Sequence, residues 1–290
     1  MTGFLNIYKQ AGYTSHDVVA IIRKLTRTKV GHTGTLDPQA EGVLPICLGR
    51  ATKLADMVQA QEKSYTAEVI LGITTDTGDT AGQINGTSPV TYNKAAILHV
   101  VESFQGPQMQ VPPMYSAIKI DGQKLYDLAR KGQTVERKPR AITIHSIQAT
   151  NFKPEENSFT IDVTCSKGTY IRSLCMDIGE SLGTAATMGN LLRTRSGDFA
   201  LETAIKIDDI RAAAADGNIA DLVLPVERVL PFPRAYVKDD GLKMAKNGNP
   251  LPLTLVDIEN APPGKVWLHG PNGLIGLYNL DDKLRLEVMM

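Results

Sequence analysis

Apolar and polar positions along the chain mark out a mixture of short strands and amphipathic helices. Gly3 to Lys9 predicts a strand, after which Gly12 turns the chain and Ser15 is a good N-cap for a helix running to Arg27. Val18, Val19, Ile22 and Leu25 form the apolar stripe of that helix. Val43 to Leu48 and Ser64 to Leu71 read as buried or half-buried strands, separated by a helix over Ala51 to Gln59. Asn93 to Phe104 is a further helix. Ile142 to Asn151 and Phe159 to Thr164 have strand character, and Tyr170 to Leu182 returns to helical spacing. The regular strand-helix alternation of a doubly wound sheet is missing, so the expected class is α+β on a mixed or antiparallel sheet.

Two stretches interrupt this pattern. Lys119 to Arg140 (KIDGQKLYDLARKGQTVERKPR) holds seven Lys/Arg and three Asp/Glu, and reads as an exposed basic insertion. Pro225, Pro231 and Pro233 in LPVERVLPFPR cannot continue a helix or an interior strand, and short strands with Gly-rich turns follow. At 290 residues a single core nears its practical size, so one large domain and a small one are expected, over 1–232 and 233–290.

The formal charge is zero, from 31 Lys/Arg and 31 Asp/Glu, so any affinity for nucleic acid must come from local patches. The tail from Tyr236 onward has six Lys/Arg against seven Asp/Glu, and so carries no basic surplus of its own. Three cysteines, Cys47, Cys165 and Cys175, form no CxxC and lie far in sequence from the five histidines, which argues against a zinc site and for a reducing cytosol. No run of about 18 apolar residues and no basic-then-apolar N-terminus occurs, so neither membrane spanning nor secretion is expected.

The densest chemical signal is Gly31-His32-Thr33-Gly34-Thr35-Leu36-Asp37-Pro38, a tight loop in which Pro38 biases Asp37 away from helical geometry. Its carboxylate either serves chemistry or bonds a backbone N–H within an Asp-Pro turn. In Ser166-Lys167-Gly168-Thr169-Tyr170-Ile171-Arg172 a strand ends and a helix starts. Tyr170 and Arg172 there either share a pocket or are a core ring and a surface charge, with Thr169 as the helix cap. Tyr65, at the start of YTAEVILG, reads by itself as an edge aromatic.

Taken in order, GHTGTLDPQAEGVLPICLGRATK, KSYTAEVILG, VPPMYSAIKIDGQKLYDLARKG and CSKGTYIRSL closely resemble the TruB family of tRNA pseudouridine-55 synthases of the stand-alone bacterial type, over residues 3 to 196. The resemblance implies a pseudouridine synthase catalytic domain with a small C-terminal β-rich domain of the PUA-like type. It implies isomerisation of a uridine in the tRNA T-arm without cofactor or metal, in the cytoplasm, by a monomer that needs no obligate protein partner and no membrane.

Residue by residue, Asp37 matches the family's essential aspartate and Arg172 its pairing arginine. Tyr65 matches the tyrosine that stacks on the flipped base, with a further suggested part in removing the carbon-5 proton. Tyr170 and Leu191 match pocket positions, and His32 matches a residue at the opened T-loop, where the alternative is a histidine bonded locally in its turn. Lys9 matches a family lysine, with a solvated surface role as its alternative. Lys119, Lys124, Arg130, Lys131 and Arg137 fall in the segment matching the RNA-gripping insertion, where charge suits phosphate contact. Thr187 departs from the family, which often has histidine there. Two other readings compete: a tRNA-folding chaperone without catalysis, and a guide-dependent relative that requires partner proteins.

Overall fold

The computed structural model describes residues 1–290 except 117, 118, 121, 126, 127, 129–131, 134, 259 and 260. Its strands, in chain order, are β1 (Gly3–Lys9), β2 (Val30–His32), β3 (Glu41–Leu48), β4 (Lys63–Leu71), β5 (Ile73–Thr75), β6 (Ile84–Thr87), β7 (Gly106–Gln110), β8 (Lys119–Ile120), β9 (Gln123–Lys124), β10 (Arg140–Lys153), β11 (Ser158–Cys165), β12 (Ala186–Ser196), β13 (Phe199–Ala200) and β14 (Ile205–Lys206). Among the described residues the main sheet runs β14-β1-β3-β12-β4-β11-β10-β7, with β2 beside β3 and β13 beside β12. Most pairs are antiparallel, whereas β1 with β14 and β12 with β3 are parallel. This is the mixed sheet of an α+β fold.

Helix α1 (Ser15–Thr26) begins one residue before the position expected from Ser15 as a cap. Thr14 is the N-cap, and it forms a capping box in which Asp17 N–H donates to Thr14 Oγ1 and Thr14 N–H donates to Asp17. Ser15 is thereby released for another task, described below. The helix expected over Ala51–Gln59 is a 3₁₀ turn, Gly49–Leu54, followed by the short α2 (Ala55–Gln59). Thr52 Oγ1 donates to Gly49 O at 2.8 Å, a local side-chain bond that competes with α-helical pairing. Helix α3 (Lys94–Ser103) starts at its Asn93 cap, and α4 (Ile171–Ser181) starts at Tyr170.

The sheet has two cores. One gathers β4, β10, β11 and β12 under α3 and α4, through Val69, Ile144, Ile161, Ile97 and Leu174. The other gathers β1 and β3 under α1, through Leu5, Ile7, Leu44, Ile46 and Ile22. The opposite face of β1 and β3 is also covered: Phe4, Val43 and Cys47 pack on Leu54, Val58, Val229 and Trp267. Burial on both faces explains why β3 is apolar nearly throughout rather than alternating. Tyr65 and Leu191 touch both of the first two cores and so mark the seam between them.

At that seam β12 joins β3 through only two register pairs, Leu192 with Glu41 and Arg193 with Gly42. Its ladder to β4 is interrupted by two irregularities, between Met188 and Leu191 and between Arg193 and Arg195. Irregular pairing of this kind is a common way to open a sheet beside a site.

The C-terminal body is a β-rich, PUA-like domain. It comprises β15 (Arg234–Val237), β16 (Leu251–Pro252), β17 (Val256–Ile258), β18 (Gly264–Gly270), β19 (Gly273–Leu280) and β20 (Lys283–Met289), in the order β16-β20-β19-β18-β15-β17. Trp267, fully buried, donates its indole N–H to Leu230 O at 2.7 Å and fixes this body against the main sheet. Among the described residues no helix is long and apolar enough to cross a membrane.

Gly42 provides the closest test of the β3–β12 seam. Its φ is +104°, and a Cβ there would lie 2.2 Å from Arg193 O and 2.9 Å from Arg193 N, both rigid backbone atoms. Gly42→Ala is expected to cost about 3 kcal/mol by overpacking plus left-handed strain, or about 5–10 °C in a thermal melt. Gly12→Ala, also at positive φ but with nothing within 4 Å of the new Cβ, should cost only about 1 kcal/mol. Equal melting losses for the two variants would refute the tight seam.

Candidate active site

The loop between β2 and β3 is held from three directions. Thr33 N–H donates to Pro45 O at 3.1 Å, and Ala40 N–H to Asp37 O at 3.1 Å, which closes the turn around Pro38. From α1, Ser15 Oγ accepts from Leu36 N–H at 2.9 Å and donates to Leu36 O at 3.1 Å. From β1, the Lys9 ammonium donates to Gln10 O and Pro38 O at 3.0 Å and to Ala40 O at 2.6 Å. From β12, the Arg193 guanidinium donates to Val43 O at 2.7 Å, Gly34 O at 3.0 Å and Thr35 O at 3.4 Å. The backbone on both sides of Asp37 is therefore fixed, and its carboxylate remains partly open, with 39% of the side chain exposed.

Lys9 differs from the expectation of an exposed lysine. It is fully buried beneath the loop, where burial pushes its pKa down to about 8, and its three carbonyl partners make it a loop anchor rather than a cavity group. His32 is half-buried on β2 just ahead of the loop, and its Nδ1 accepts from Gly34 N–H at 3.3 Å. It does not line the cavity described next, and its backbone pairs with Ile46 of β3.

Asp37 faces Arg172, in the first turn of α4, with Nη2 at 3.0 Å from Oδ2. Arg172 is 5% exposed and its guanidinium is held by further partners. Nη1 donates to Thr77 O and Nη2 to Tyr115 O, each at 2.8 Å, and Nε lies 3.8 Å from Asp79 Oδ2. Asp79 is itself held by Thr77 Oγ1 at 2.6 Å and by Ala81 N–H at 3.1 Å. The start of α4 is secured by Gln110, which accepts from Tyr170 N–H at 2.8 Å and donates to Tyr170 O at 3.0 Å. Thr169, expected as a possible cap, instead donates to Ser166 O.

Asp37, Tyr65, Tyr170, Arg172 and Leu191 line one cavity of about 590 Å³, the size of a small-molecule or nucleotide pocket. The structure thus brings together five of the residues singled out in the sequence. Its wall also carries Lys63, Arg140, Lys167 and Arg193, so cations outnumber the two acids, Asp37 and Asp56. Burial, with Arg193 and Lys167 nearby, pushes the Lys63 ammonium down to about 8. Burial pushes the Tyr65 phenol above its ordinary value while Arg193 opposes the shift, so the phenol is protonated at neutral pH.

Arg193, Asp79 and Lys63 escaped the sequence analysis as site residues. Arg193 had one available signal: it stands two positions after Leu191 and so shares its strand face. Of the basic insertion, Arg130 and Lys131 lie outside the described residues. Lys119 and Lys124 are partners across the β8–β9 hairpin, and Arg137 is half-buried with Nη1 donating to Pro112 O at 3.0 Å. Thr187, at the position that departs from the family pattern, is fully buried 3.2 Å from the Thr75 hydroxyl. Among the described residues no cluster of His, Cys, Asp and Glu is arranged to hold a metal. The three cysteines are buried, and burial raises all three thiols, Cys47 to about 12 and Cys165 to about 11.

The His32 imidazole is held below its ordinary value, first by burial and then by Arg193 and His16. Its NMR titration should have a midpoint below 6.5 in the folded protein. Because the unfolded chain then binds the proton more readily, His32 should withdraw stability as pH falls from 6.5 through that midpoint. A midpoint at or above 6.5 would contradict this environment.

Residues 23–171 match the model of the TruB family pseudouridylate synthase N-terminal domain, and residues 172–231 that of the tRNA pseudouridylate synthase B C-terminal domain. The two matched segments form one sheet, since β12 of the second inserts between β3 and β4 of the first. The chain is 48% identical over 268 residues to a protein of Alkaliphilus oremlandii, covering 91% of this chain and 88% of that one. It is 47% identical over 255 residues to a protein of Bacillus subtilis, covering 86% and 82%. Both carry the name tRNA pseudouridine synthase B. Similar solved structures include an H/ACA ribonucleoprotein bound to a substrate RNA containing 2′-deoxyuridine, at 25% identity and a TM-score of 0.72, covering 99% of this chain and 84% of that one. Another is a Cbf5-Nop10-Gar1 complex at 27% identity, the same TM-score and the same coverage. With both segments matched and relatives this similar along most of its length, the chain belongs to the TruB family of pseudouridylate synthases.

Proposed function

We propose that this protein is a tRNA pseudouridine synthase that isomerises the T-loop uridine, position 55, of transfer RNA. In that reaction the C1′–N1 bond breaks, the base turns and a C1′–C5 bond forms, while the carbon-5 proton leaves and N1 gains one. The observation that carries this reading is the Asp37–Arg172 pair in the wall of a nucleotide-sized cavity. A carboxylate is the group required beside the anomeric carbon, whether it attacks that carbon or acts by removing a sugar proton. Arg172 orients it from Nη2, while the planar guanidinium is itself held by Thr77 O, Tyr115 O and the Asp79 carboxylate.

A uridine within a folded RNA must leave its stack to reach this carboxylate, at a cost of a few kcal/mol recovered by contacts in the pocket. Tyr65 supplies a ring on which the base stacks, Leu191 packs near the base and Tyr170 stands beside the carboxylate. The raised Tyr65 pKa supports the stacking role, because as a base the phenol would first have to lose its own proton. His32, neutral and next to the catalytic loop, suits stacking against the opened T-loop. The cations around the cavity, together with the insertion bearing Lys119, Lys124, Arg130, Lys131 and Arg137, suit phosphates of the T-arm.

We assign residues 1–232 to the catalytic domain and 233–290 to the PUA-like domain, in a monomer that works in the cytoplasm on free tRNA. Closer similarity to relatives named for tRNA than to chains solved within ribonucleoprotein complexes supports independent recognition. A pure folding chaperone has no use for a carboxylate fixed on both sides and paired to a buried guanidinium.

The test is an unmodified tRNA transcript tritiated at carbon-5 of its uridines, incubated without cofactor. Wild-type protein should release tritium stoichiometrically from the T-loop uridine, and Asp37→Asn should release none while still binding the tRNA. No release by wild-type protein that binds the tRNA would favour the chaperone instead.

A further inference from the structure

One polar group in the cavity wall has no use within the fold. Ser116 lines the cavity and is 6% exposed, and its hydroxyl oxygen is buried without a hydrogen-bond partner among the described residues. Of the buried side-chain atoms found in that condition, only the Ser116 oxygen belongs to a residue lining this cavity. A buried hydroxyl left unpaired is destabilising, and native structures keep few of them.

The position of Ser116 is set by the catalytic pair. The preceding carbonyl, Tyr115 O, accepts from Arg172 Nη2 at 2.8 Å, and that same nitrogen lies 3.0 Å from Asp37 Oδ2. Ser116 N–H is tied back to Met114 O at 2.9 Å. The backbone on the N-terminal side of Ser116 is thus fixed one residue from the ion pair, and rotation about its Cα–Cβ bond can turn the hydroxyl to a ligand in the cavity. A hydroxyl both donates and accepts, which suits the mixed donor and acceptor edge of a uridine nucleotide. Tyr65 and Leu191 offer that nucleotide mainly apolar surface, so its polar atoms lose water on entry and need partners elsewhere in the wall.

We propose that the Ser116 hydroxyl hydrogen-bonds the uridine nucleotide drawn into the cavity and is a substrate-binding residue of the isomerisation. This rests on the activity proposed above. In the free protein the hydroxyl is unused, so its removal leaves the fold intact and is felt only once the nucleotide is seated.

Ser116→Ala separates this role from a structural one. The variant should melt at or above the wild-type temperature, since it replaces an unpaired buried hydroxyl by hydrogen. It should bind whole tRNA within about twofold of wild type, because most of the grip is on phosphates outside the cavity. Its single-turnover rate of tritium release should fall by about 5- to 100-fold, the effect of leaving a desolvated substrate atom unpaired. Ser116→Cys, with a weak S–H donor, should recover part of that loss. An Ala variant that turns over within twofold of wild type would overturn the assignment, as would a rate loss that follows a lowered melting temperature. Absence of release by the wild type would overturn the isomerase reading along with it, whereas wild-type release with an unaffected Ala variant overturns Ser116 alone.

Discussion

A guanidinium almost entirely withdrawn from water governs this site. Arg172 is almost entirely buried, so each of its donors must find a protein partner, and the fold supplies Thr77 O, Tyr115 O, Asp79 and Asp37. Three of these face inward or are backbone atoms. Asp37 stands at the cavity with more than a third of its side chain exposed. The buried arginine thereby fixes the carboxylate in place and leaves it accessible, the condition that the proposed attack on, or proton removal from, a sugar would require.

Behind that pair stand two further buried cations used as anchors. Lys9 and Arg193 spend their donors on carbonyls flanking Asp37, one from below and one across the β3–β12 seam. Burying charge in this way is costly, as the lowered Lys9 pKa records, and it is tolerated because several backbone oxygens converge on each cation. The seam is also where the two cores meet and where β12 is irregular on both sides. Tyr65 and Leu191 sit there, packed against both cores and only partly buried. The pocket follows from imperfect closure between two well-packed halves.

Much of this was legible in the sequence. The strand Gly3–Lys9, the α1 stripe and the strand character of β10 and β11 follow from periodicity, and Pro38 marks Asp37 as lying on a rigid turn. The central strand β12 was not legible, because ATMGNLLRTRS carries Gly, Asn and two Arg where an interior strand usually carries Val or Ile. Its polar positions make sense only once the carbonyls that Arg193 reaches are known, and those belong to residues about 150 positions away. Lys9 misled for the same reason: a strand-end lysine reads as solvated until the loop at Pro38 and Ala40 closes over it. Ser15 reads locally as a cap, whereas Thr14 caps the helix and Ser15 clasps Leu36. Local signals located the elements, and long-range acceptors decided what the polar residues do.

Turnover of Arg172→Lys tests the role of this ion pair most directly. An ammonium keeps the charge but lacks the fork that reaches Asp37, Thr77 and Tyr115 together, so the variant should fold with a lowered melting temperature and still bind tRNA, while its single-turnover rate below that temperature falls by about 100-fold or more from a displaced carboxylate. A folded variant isomerising uridine within a few-fold of wild type would contradict the claim that this buried guanidinium makes Asp37 competent.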